Sequence, residues 1–309
     1  MKIRTIMLAV VLAGACMGNA LAKEGGDQYP NGVENWLAGA APPPGNYFLN
    51  YVGHYSARLR DGDGDKVPRA SVDAWFDALR FIRMTDTKIL GGDWGMHLVV
   101  PLVQQKVKLG GDSKTVTGLG DITFNPLIVA WHAKNLHWLF ALDLNMPTGR
   151  YKSGDPRESI GTNYWSIEPI VAATWLSDDG WELSAKFMYN IKSKNKDFRP
   201  APGAPKMDYE SGDDFHMDYT VGKHFGPWTA GLSGYYLKQT ENDRLEGRTL
   251  PEVPGLWSRG RKGEVFAIGP SIGYTNKNGT TFIVQWQHET EAENRFRGDK
   301  AWFKLVLPF

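Results

Sequence analysis

The acidic run DGDGD at 61–65 is the clearest candidate for metal chemistry in this sequence. Carboxylates at every second position open the calcium-binding loop of an EF-hand, since Ca²⁺ prefers oxygen ligands. Such a loop needs Gly at its sixth position and Glu at its twelfth, where this sequence has Lys66 and Val72. We therefore expect a polar extracellular loop, with weak cation binding at the cell surface as the alternative.

The histidines are a second group that could bind a metal ion or transfer protons. Five of them fall on the polar faces of predicted strands: His54, His97, His137, His216 and His224. No two of them have the local spacing of a zinc motif. We expect them to take part in hydrogen bonds inside the protein, with no metal and no cofactor.

Enzymatic chemistry has little support in the sequence. We predict no nucleophile elbow, no His-Glu-x-x-His zinc motif and no nucleotide-binding loop. An outer-membrane lipid hydrolase with Ser and His on adjacent strands would leave no such local motif, so a lipid-modifying enzyme stays an alternative. The prediction is that the protein is not an enzyme.

The elements that position these side chains are β-strands, because apolar residues recur at every second position over segments of about ten residues. Successive side chains of a strand point to opposite faces, so each segment has one apolar and one largely polar face. In the segment 181–192 the apolar face is Trp181, Leu183, Ala185, Phe187, Tyr189 and Ile191. The segments 136–146 and 301–309 have the same pattern.

Twelve such strands are predicted, at 46–59, 71–84, 93–104, 119–131, 136–147, 163–176, 181–192, 213–225, 228–239, 263–274, 280–288 and 300–309. Long and short connections alternate between them, as extracellular loops and periplasmic turns do in outer-membrane barrels. A soluble sandwich would share the strand pattern but has no reason for this alternation. The predicted fold class is all-β, a single antiparallel up-and-down transmembrane β-barrel of about 12 strands.

The composition agrees with this fold. The chain of 309 residues is 42% hydrophobic, yet it has no apolar run of the roughly 20 residues that a transmembrane helix needs. Its 12 Trp, 12 Tyr and 14 Phe suit the aromatic girdles of a barrel. Without the N-terminal signal the formal charge falls from +1 to about −1, which leaves no basic excess for binding nucleic acid.

The polar faces predict which side chains line the lumen. A barrel of eight strands is filled by its own side chains, whereas twelve strands enclose a wider space. The predicted lumen-lining residues are His54, Arg58, Asp77, His97, Asp143, Glu168, Lys186, Asn190, His216, Asp218 and Lys304. Both signs of charge occur, so we expect no strong ion selectivity; a salt-bridged plug is the alternative.

The N-terminus predicts export. Lys2 and Arg4 precede a short apolar stretch, and the sequence ALA at 20–22 is a small-x-small cleavage site, so residues 1–22 form a predicted signal peptide. The single cysteine, Cys16, lies within it, and a lipoprotein is the alternative reading.

Residues 23–45 are predicted to form an N-terminal periplasmic segment, which either plugs the barrel partially or is a disordered tether. Residues 46–309 are predicted to form the barrel. The last predicted strand has apolar residues at every second position, the pattern that barrel assembly machinery recognises. The predicted assembly signal is Phe303, Leu305, Leu307 and Phe309.

Four stretches also carry a family resemblance through their order along the chain. They are APPPGNYFLNY at 41–51, GLGDI at 118–122, ALDLNMPTGRYKSGD at 141–155 and SDDGWELSAKFMYNI at 177–191. Together with the strand at 163–176 they resemble the family named for the meta-pathway of phenol degradation. The resemblance covers nearly the whole mature chain. It implies a barrel in the outer membrane of a Gram-negative bacterium that helps small hydrophobic or aromatic compounds enter the cell.

Two non-enzymatic functions are therefore predicted, in addition to the enzyme alternative. The first is a channel for passive uptake of small hydrophobic or aromatic compounds. The second is a structural or surface-interaction barrel without transport, which would work through its long loops around 193–212 and 240–262. The predicted partners are outer-membrane lipid, the barrel assembly machinery and a small hydrophobic or aromatic solute. The sequence does not predict an oligomeric state.

Overall fold

A computed structural model describes residues 27–309 of the chain. The predicted signal peptide with Cys16, and the first residues of the predicted periplasmic segment, lie outside the described residues. Within 27–309, no helix is both long enough and apolar enough to cross a membrane.

The described chain forms seventeen strands, numbered in chain order. Twelve are long: β1 Gly45–Arg60, β2 Lys66–Ile89, β3 Gly92–Leu109, β5 Ile122–His132, β6 Leu136–Met146, β7 Ser166–Leu176, β8 Trp181–Lys192, β11 Asp214–Phe225, β12 Trp228–Gln239, β15 Glu264–Thr275, β16 Thr281–Glu293 and β17 Phe296–Pro308. Five are short: β4 Asp112–Leu119, β9 Asn195–Phe198, β10 Met207–Glu210, β13 Arg244–Leu245 and β14 Arg248–Thr249. Two single turns of 3₁₀ helix span Pro156–Glu158 and Arg259–Arg261.

The twelve long strands close into one antiparallel barrel. Each pairs with its two neighbours, and β1 closes the sheet by pairing with β17 on one side and with β2 on the other. Closure pairs the backbone groups of every strand, which lipid could not do because it offers no hydrogen-bond partners. The predicted fold class and the number of strands are therefore confirmed.

Three of the predicted long connections are wrong. The loops expected at 60–70, 105–118 and 289–299 are reduced to 61–65, 110–111 and 294–295, because the strands on either side continue beyond the hydrocarbon layer as paired strands. The outer face of such an extension meets head groups and water instead of hydrocarbon. Its alternation of apolar and polar residues fades there, and the sequence pattern ends before the strand does.

The long connections that remain, 147–165, 193–213 and 240–263, lie at the end of the barrel opposite Phe309. Short turns lie beside Phe309, which makes that end periplasmic and the other end extracellular. Exposed apolar and aromatic side chains surround the barrel between the two ends. Exposed tryptophans lie towards both ends of this apolar surface, namely Trp165, Trp175, Trp181, Trp228 and Trp286.

Extracellular loops pack over the extracellular end of the barrel. Trp257, in the loop between β14 and β15, is buried against Leu59, Ala70 and Val107 of the extended strands. The strands β9, β10, β13 and β14 form a separate small sheet. Its apolar side chains Phe198, Tyr209 and Leu250 pack together.

Candidate functional site

The inner face of the barrel has two chemically different walls. We define the polar wall as the buried inward side chains of β6, β7, β8 and β11, and the apolar wall as the inward side chains of β1, β2 and β3. The polar wall includes Asp143, Asn145, Glu168, Lys186, Asn190, His216 and Asp218. The apolar wall includes Tyr51, Ala57, Leu59, Ala70, Ala74, Ala78 and Val107. The lining of the lumen is thus polar on one side and apolar on the other.

Eight of the predicted lumen residues lie on the inner face. They are His97, Asp143, Glu168, Lys186, Asn190, His216, Asp218 and Lys304, and all are buried. The charged inward residues that the predicted set lacks include Arg80, Glu289, Glu182 and Lys300. The last two could have been found from spacing, since Glu182 and Lys300 are an even number of residues from Lys186 and Lys304 on the same strands. The residues two positions before and after Arg80 are both apolar, so its spacing does not predict that it faces inward.

The structure corrects the prediction for His54, Arg58 and Asp77, which face outward. On β1 the buried residues Tyr51 and Leu59 fix the inward positions, so the even-numbered residues point to the outside. Outward, His54 contacts Asp73 at 3.2 Å and the Trp75 ring, and Asp77 accepts a 2.5 Å hydrogen bond from Asn50. Alternation defines two faces of a strand but not which of them points inward.

Charged groups of the polar wall are paired with one another or with polar side chains of β3 and β5. His97 contacts Asp143 at 3.1 Å, and Asp143 also accepts a 2.5 Å hydrogen bond from the Asn125 amide. Glu168 contacts His216 at 3.1 Å and accepts a 2.8 Å hydrogen bond from Asn190. Buried charges are tolerated only when they are paired in this way. The charges of the wall are therefore balanced largely by other protein groups.

Residues 27–44, which we call the lumen segment, cross the interior of the barrel. Asp218 on β11 is its central anchor. The Asp218 carboxylate accepts hydrogen bonds from the Tyr29 hydroxyl at 2.6 Å, the Gly32 amide at 2.7 Å and the Glu34 amide at 3.1 Å. Gly32 has a φ of +84°, and a Cβ there would lie 2.2 Å from Gln287, so only glycine fits.

Glu34 joins the lumen segment to both walls at once. Its carboxylate forms an ion pair with Arg80 on β2 and a 2.8 Å ion pair with Lys186 on β8. It also accepts a 3.2 Å hydrogen bond from the Tyr51 hydroxyl on β1. Since these strands lie on different sides of the lumen, this cluster spans the middle of the barrel.

The last two strands, β16 and β17, hold the lumen segment mainly through its backbone carbonyls. Gln285 on β16 donates to the Gly32 carbonyl at 2.7 Å, and Lys300 on β17 donates to the Asn31 carbonyl at 2.9 Å. Lys304 donates to the Asn35 side chain at 2.8 Å. The first described residues and the last strands of the chain are thereby tied together.

A further set of contacts lies towards the periplasm. Glu182 accepts a 2.6 Å hydrogen bond from the Leu37 amide and contacts His224 at 2.5 Å. The Trp36 indole donates to Ser271 at 2.9 Å, and the Gly39 amide donates to Thr174 at 2.9 Å. The segment is consequently fixed along its length, and not only at one point.

The lumen segment separates two cavities. A cavity of about 260 Å³ on the extracellular side is lined by Asp27–Asn31 and by the apolar wall from Val72 to Ala78. A cavity of about 530 Å³ on the periplasmic side is lined by Val33–Leu37 together with Ile82, Met84, Ile170 and Ile283. The two cavities share no lining residue. Both combine apolar walls with a few charged groups, as sites for small molecules do.

Asp121, in the GLGDI stretch at 118–122, ties an extracellular loop to the lumen segment. Its carboxylate accepts from the Gly149 amide at 2.9 Å, the Thr162 amide at 2.9 Å and the Gln28 side chain at 3.1 Å. Gly149 needs its small size here, since a Cβ would lie 2.7 Å from Gly161. The same loop contains Asp155, whose pKa is held well below its usual range by hydrogen bonds from Arg157 and Lys114.

The acidic run at 61–65 forms the tight turn between β1 and β2. The Asp61 carboxylate accepts hydrogen bonds from the amides of Asp63, at 3.0 Å, and Asp65, at 2.8 Å. Across residues 27–309, no three His, Cys, Asp or Glu side chains converge as a metal site would require. This turn therefore uses its carboxylate to fix its own backbone.

One stretch fits the letters of a nucleophile elbow, contrary to the sequence prediction. Residues 269–273 read Gly-Pro-Ser-Ile-Gly, but they lie inside β15, whereas an elbow needs a turn between a strand and a helix. Ser271 is buried and accepts the hydrogen bond from Trp36. The motif thus serves to hold the lumen segment.

Comparison with known proteins adds a family and a fold. The family described as "Putative MetA-pathway of phenol degradation" matches residues 56–305. An outer membrane channel from Pseudomonas putida F1 is similar in structure, with a TM-score of 0.75 and 14% identity over 90% of this chain and 100% of that chain. This likeness shows an outer-membrane barrel fold. No curated protein matches the sequence significantly.

Two further solved structures are more distant. A mutant of the TodX monoaromatic hydrocarbon channel has a TM-score of 0.46 and 10% identity, over 89% of this chain and 92% of that chain. A FadL homologue from Pseudomonas aeruginosa has a TM-score of 0.41 and 11% identity, over 94% of this chain and 96% of that chain.

Proposed function

Because this chain belongs to the family described as "Putative MetA-pathway of phenol degradation", we propose that it is a channel for passive uptake of small hydrophobic or aromatic compounds across the outer membrane. In this proposal the protein performs no chemistry on its solute. The solute would enter the extracellular cavity, pass the lumen segment and leave through the periplasmic cavity.

The apolar wall is the observation that carries this proposal. A channel for ions or sugars would gain from polar side chains all round its lumen. Here one side of the lumen offers Val72, Ala74, Phe76 and Val103 to the extracellular cavity, and Leu49 and Ile82 to the periplasmic one. Burying an apolar solute against such a surface is favourable at roughly 25 cal/mol per Å².

Uptake into liposomes tests the proposal. Purified barrel should admit phenol and toluene faster than empty liposomes do, and should admit sugars of similar mass more slowly than aromatics. No permeability to any small solute would favour the structural or surface-interaction barrel. Turnover of added phospholipid by the same preparation would favour the enzyme.

Filling the extracellular cavity should block uptake. Ala74 is buried on the inner face of β2 and lines that cavity. The variant Ala74→Trp places an indole in the solute's path, and we expect phenol uptake to fall by at least about tenfold. The control is Ala301→Trp, where the same side chain replaces an exposed residue on the outer face of β17. Equal uptake by both variants would contradict a path along the apolar wall.

We also propose that the terminal strand carries the assembly signal. Phe303, Leu305 and Leu307 face outward on β17, which pairs with β1 along its whole length, and the Phe309 amide donates to the Asn46 carbonyl at 3.0 Å. Removing Phe309 should lower the amount of heat-modifiable barrel in outer membranes severalfold. The conductance of each channel that does assemble should stay unchanged. Wild-type levels of folded barrel would show that the residue is dispensable for recognition.

A further inference from the structure

A row of basic side chains crosses the outer surface of four neighbouring strands. Arg297 on β17 lies directly opposite Arg58 on β1, Arg58 lies opposite Ser71 on β2, and Ser71 lies opposite Lys108 on β3. Directly opposed residues point to the same side of a sheet, and here that side is the outer one. Three cations and one hydroxyl thus form a continuous outward-facing row.

This row lies just beyond the aromatic positions at the extracellular side. On β2 the outward residues after Trp75 are Asp73 and then Ser71. Ser71 is therefore four residues from the exposed Trp75, or about 13 Å along a tilted strand. Tryptophan marks the boundary between hydrocarbon and head groups. The basic row consequently lies at the level of the outer-leaflet head groups.

Two acidic residues on the same outer face, Asp73 and Asp299, are engaged with histidines. Asp73 contacts His54 at 3.2 Å, and Asp299, on the outer face of β17, contacts His288 at 2.9 Å. Arg58 and Lys108 have no carboxylate within ion-pair distance in the described part of the chain, and Arg297 donates to the Thr290 carbonyl. Opposed like charges across two strands are destabilising unless an anion lies between them.

From this arrangement we infer that the basic row is a binding site for the phosphate groups of the phosphorylated glycolipid in the outer leaflet. Arginine suits this ligand because its planar guanidinium binds phosphate oxygens through two hydrogen bonds. The ligand is a lipid and not a soluble phosphate, because the row faces sideways from the barrel at head-group level. Binding there would relieve the repulsion between Arg58 and Arg297.

Binding of purified lipopolysaccharide to the detergent-solubilised barrel, measured in EDTA, tests this inference. The test variant is Arg58→Gln/Arg297→Gln/Lys108→Gln. The matched control is Lys134→Gln/Lys223→Gln/Lys277→Gln, which removes three cations at the periplasmic end. Each cation near a lipid surface contributes about 1 kcal/mol, so the test variant should bind about 100-fold more weakly. The control should bind like wild type.

Two further ligands identify the source of the phosphate. Dephosphorylated lipopolysaccharide should bind wild type about as weakly as the intact lipid binds the test variant. Inorganic phosphate and phosphatidylglycerol vesicles should not compete at equal phosphate concentration. Unchanged binding by a test variant that migrates as a folded, heat-modifiable barrel would overturn the inference. Equal competition by phosphatidylglycerol would also overturn it, because any anionic surface would then suffice.

Discussion

Deletion of the lumen segment, residues 27–44, should raise single-channel conductance by at least about threefold. The segment fills the cross-section between the two cavities, where Glu34 joins Arg80 to Lys186 across the lumen. Its removal leaves Asp218 and Glu182 facing water instead of burying them unpaired, so the barrel itself should remain folded. Planar-bilayer recordings of the purified variant measure the effect directly.

A second variant tests whether the conductance is limited by the presence of a chain in the lumen or by the contacts of that chain with the walls. Replacing residues 27–44 with a Gly/Ser linker of equal length keeps the length of the chain in the lumen but removes every side chain that binds the walls. We expect its conductance to rise as well, with larger fluctuations, since an unanchored chain moves freely in the lumen. Conductance equal to wild type in both variants would mean that the loops at the extracellular end, and not the segment, are the barrier.

Substitution of the central anchor should release the segment without changing the barrel. In Asp218→Asn, an isosteric amide replaces a carboxylate that accepts three hydrogen bonds. Hydrogen bonds to a charged group contribute more than neutral ones, and the new amide nitrogen would face one of the two backbone donors, from Gly32 or from Glu34. We expect a loss of about 3 kcal/mol in the local stability of the segment.

Hydrogen exchange provides the measurement for this variant. Protection of the Gly32 and Glu34 amides should fall about 100-fold, whereas the amides of β11 should exchange as before. The matched control is Thr220→Val, on the same strand and the same face, because the buried Thr220 hydroxyl has no hydrogen-bond partner in the structure. That control should change local stability by less than about 0.5 kcal/mol. Equal protection in Asp218→Asn and wild type would rule Asp218 out as the central anchor.

The strands could be predicted wherever lipid meets the outer face. The segment 181–192 has apolar residues at every odd position, and the structure forms β8 over the same range. Lipid imposes that pattern, because every side chain that touches it must be apolar. In the hairpin of β16 and β17 the outer face leaves the membrane, and there the prediction stopped at 288 and resumed at 300.

The direction in which a strand faces was harder to predict than its existence. His54 and Asp77 were placed in the lumen because a polar face was taken as the inner one. The inner face of β1 is apolar at Leu59, which packs against Trp257 and lines the extracellular cavity. Where the inner wall of the barrel is apolar, the polar face of a strand points outward. The alternation in β1 and β2 therefore predicts the wrong inner face.

The contacts of the lumen segment could not be predicted from the sequence. Asp218 is 189 residues from Tyr29, and Lys300 is 269 residues from Asn31. No local spacing relates such pairs, since only closure of the barrel brings them together. The sequence predicted a segment at 23–45 ahead of the barrel but left a plug and a tether equally open.

These long-range contacts also set an order of events during biogenesis. The lumen segment is synthesised before any strand, yet Gln285, Lys300 and Lys304, which bind it, lie on the last two strands. Its binding site is complete only after β17 has paired with β1. The lumen segment must therefore remain undocked until β17 has paired with β1. Docking of the segment would then be a final maturation step, and sensitivity of residues 27–44 to protease would report how many barrels in a cell are finished.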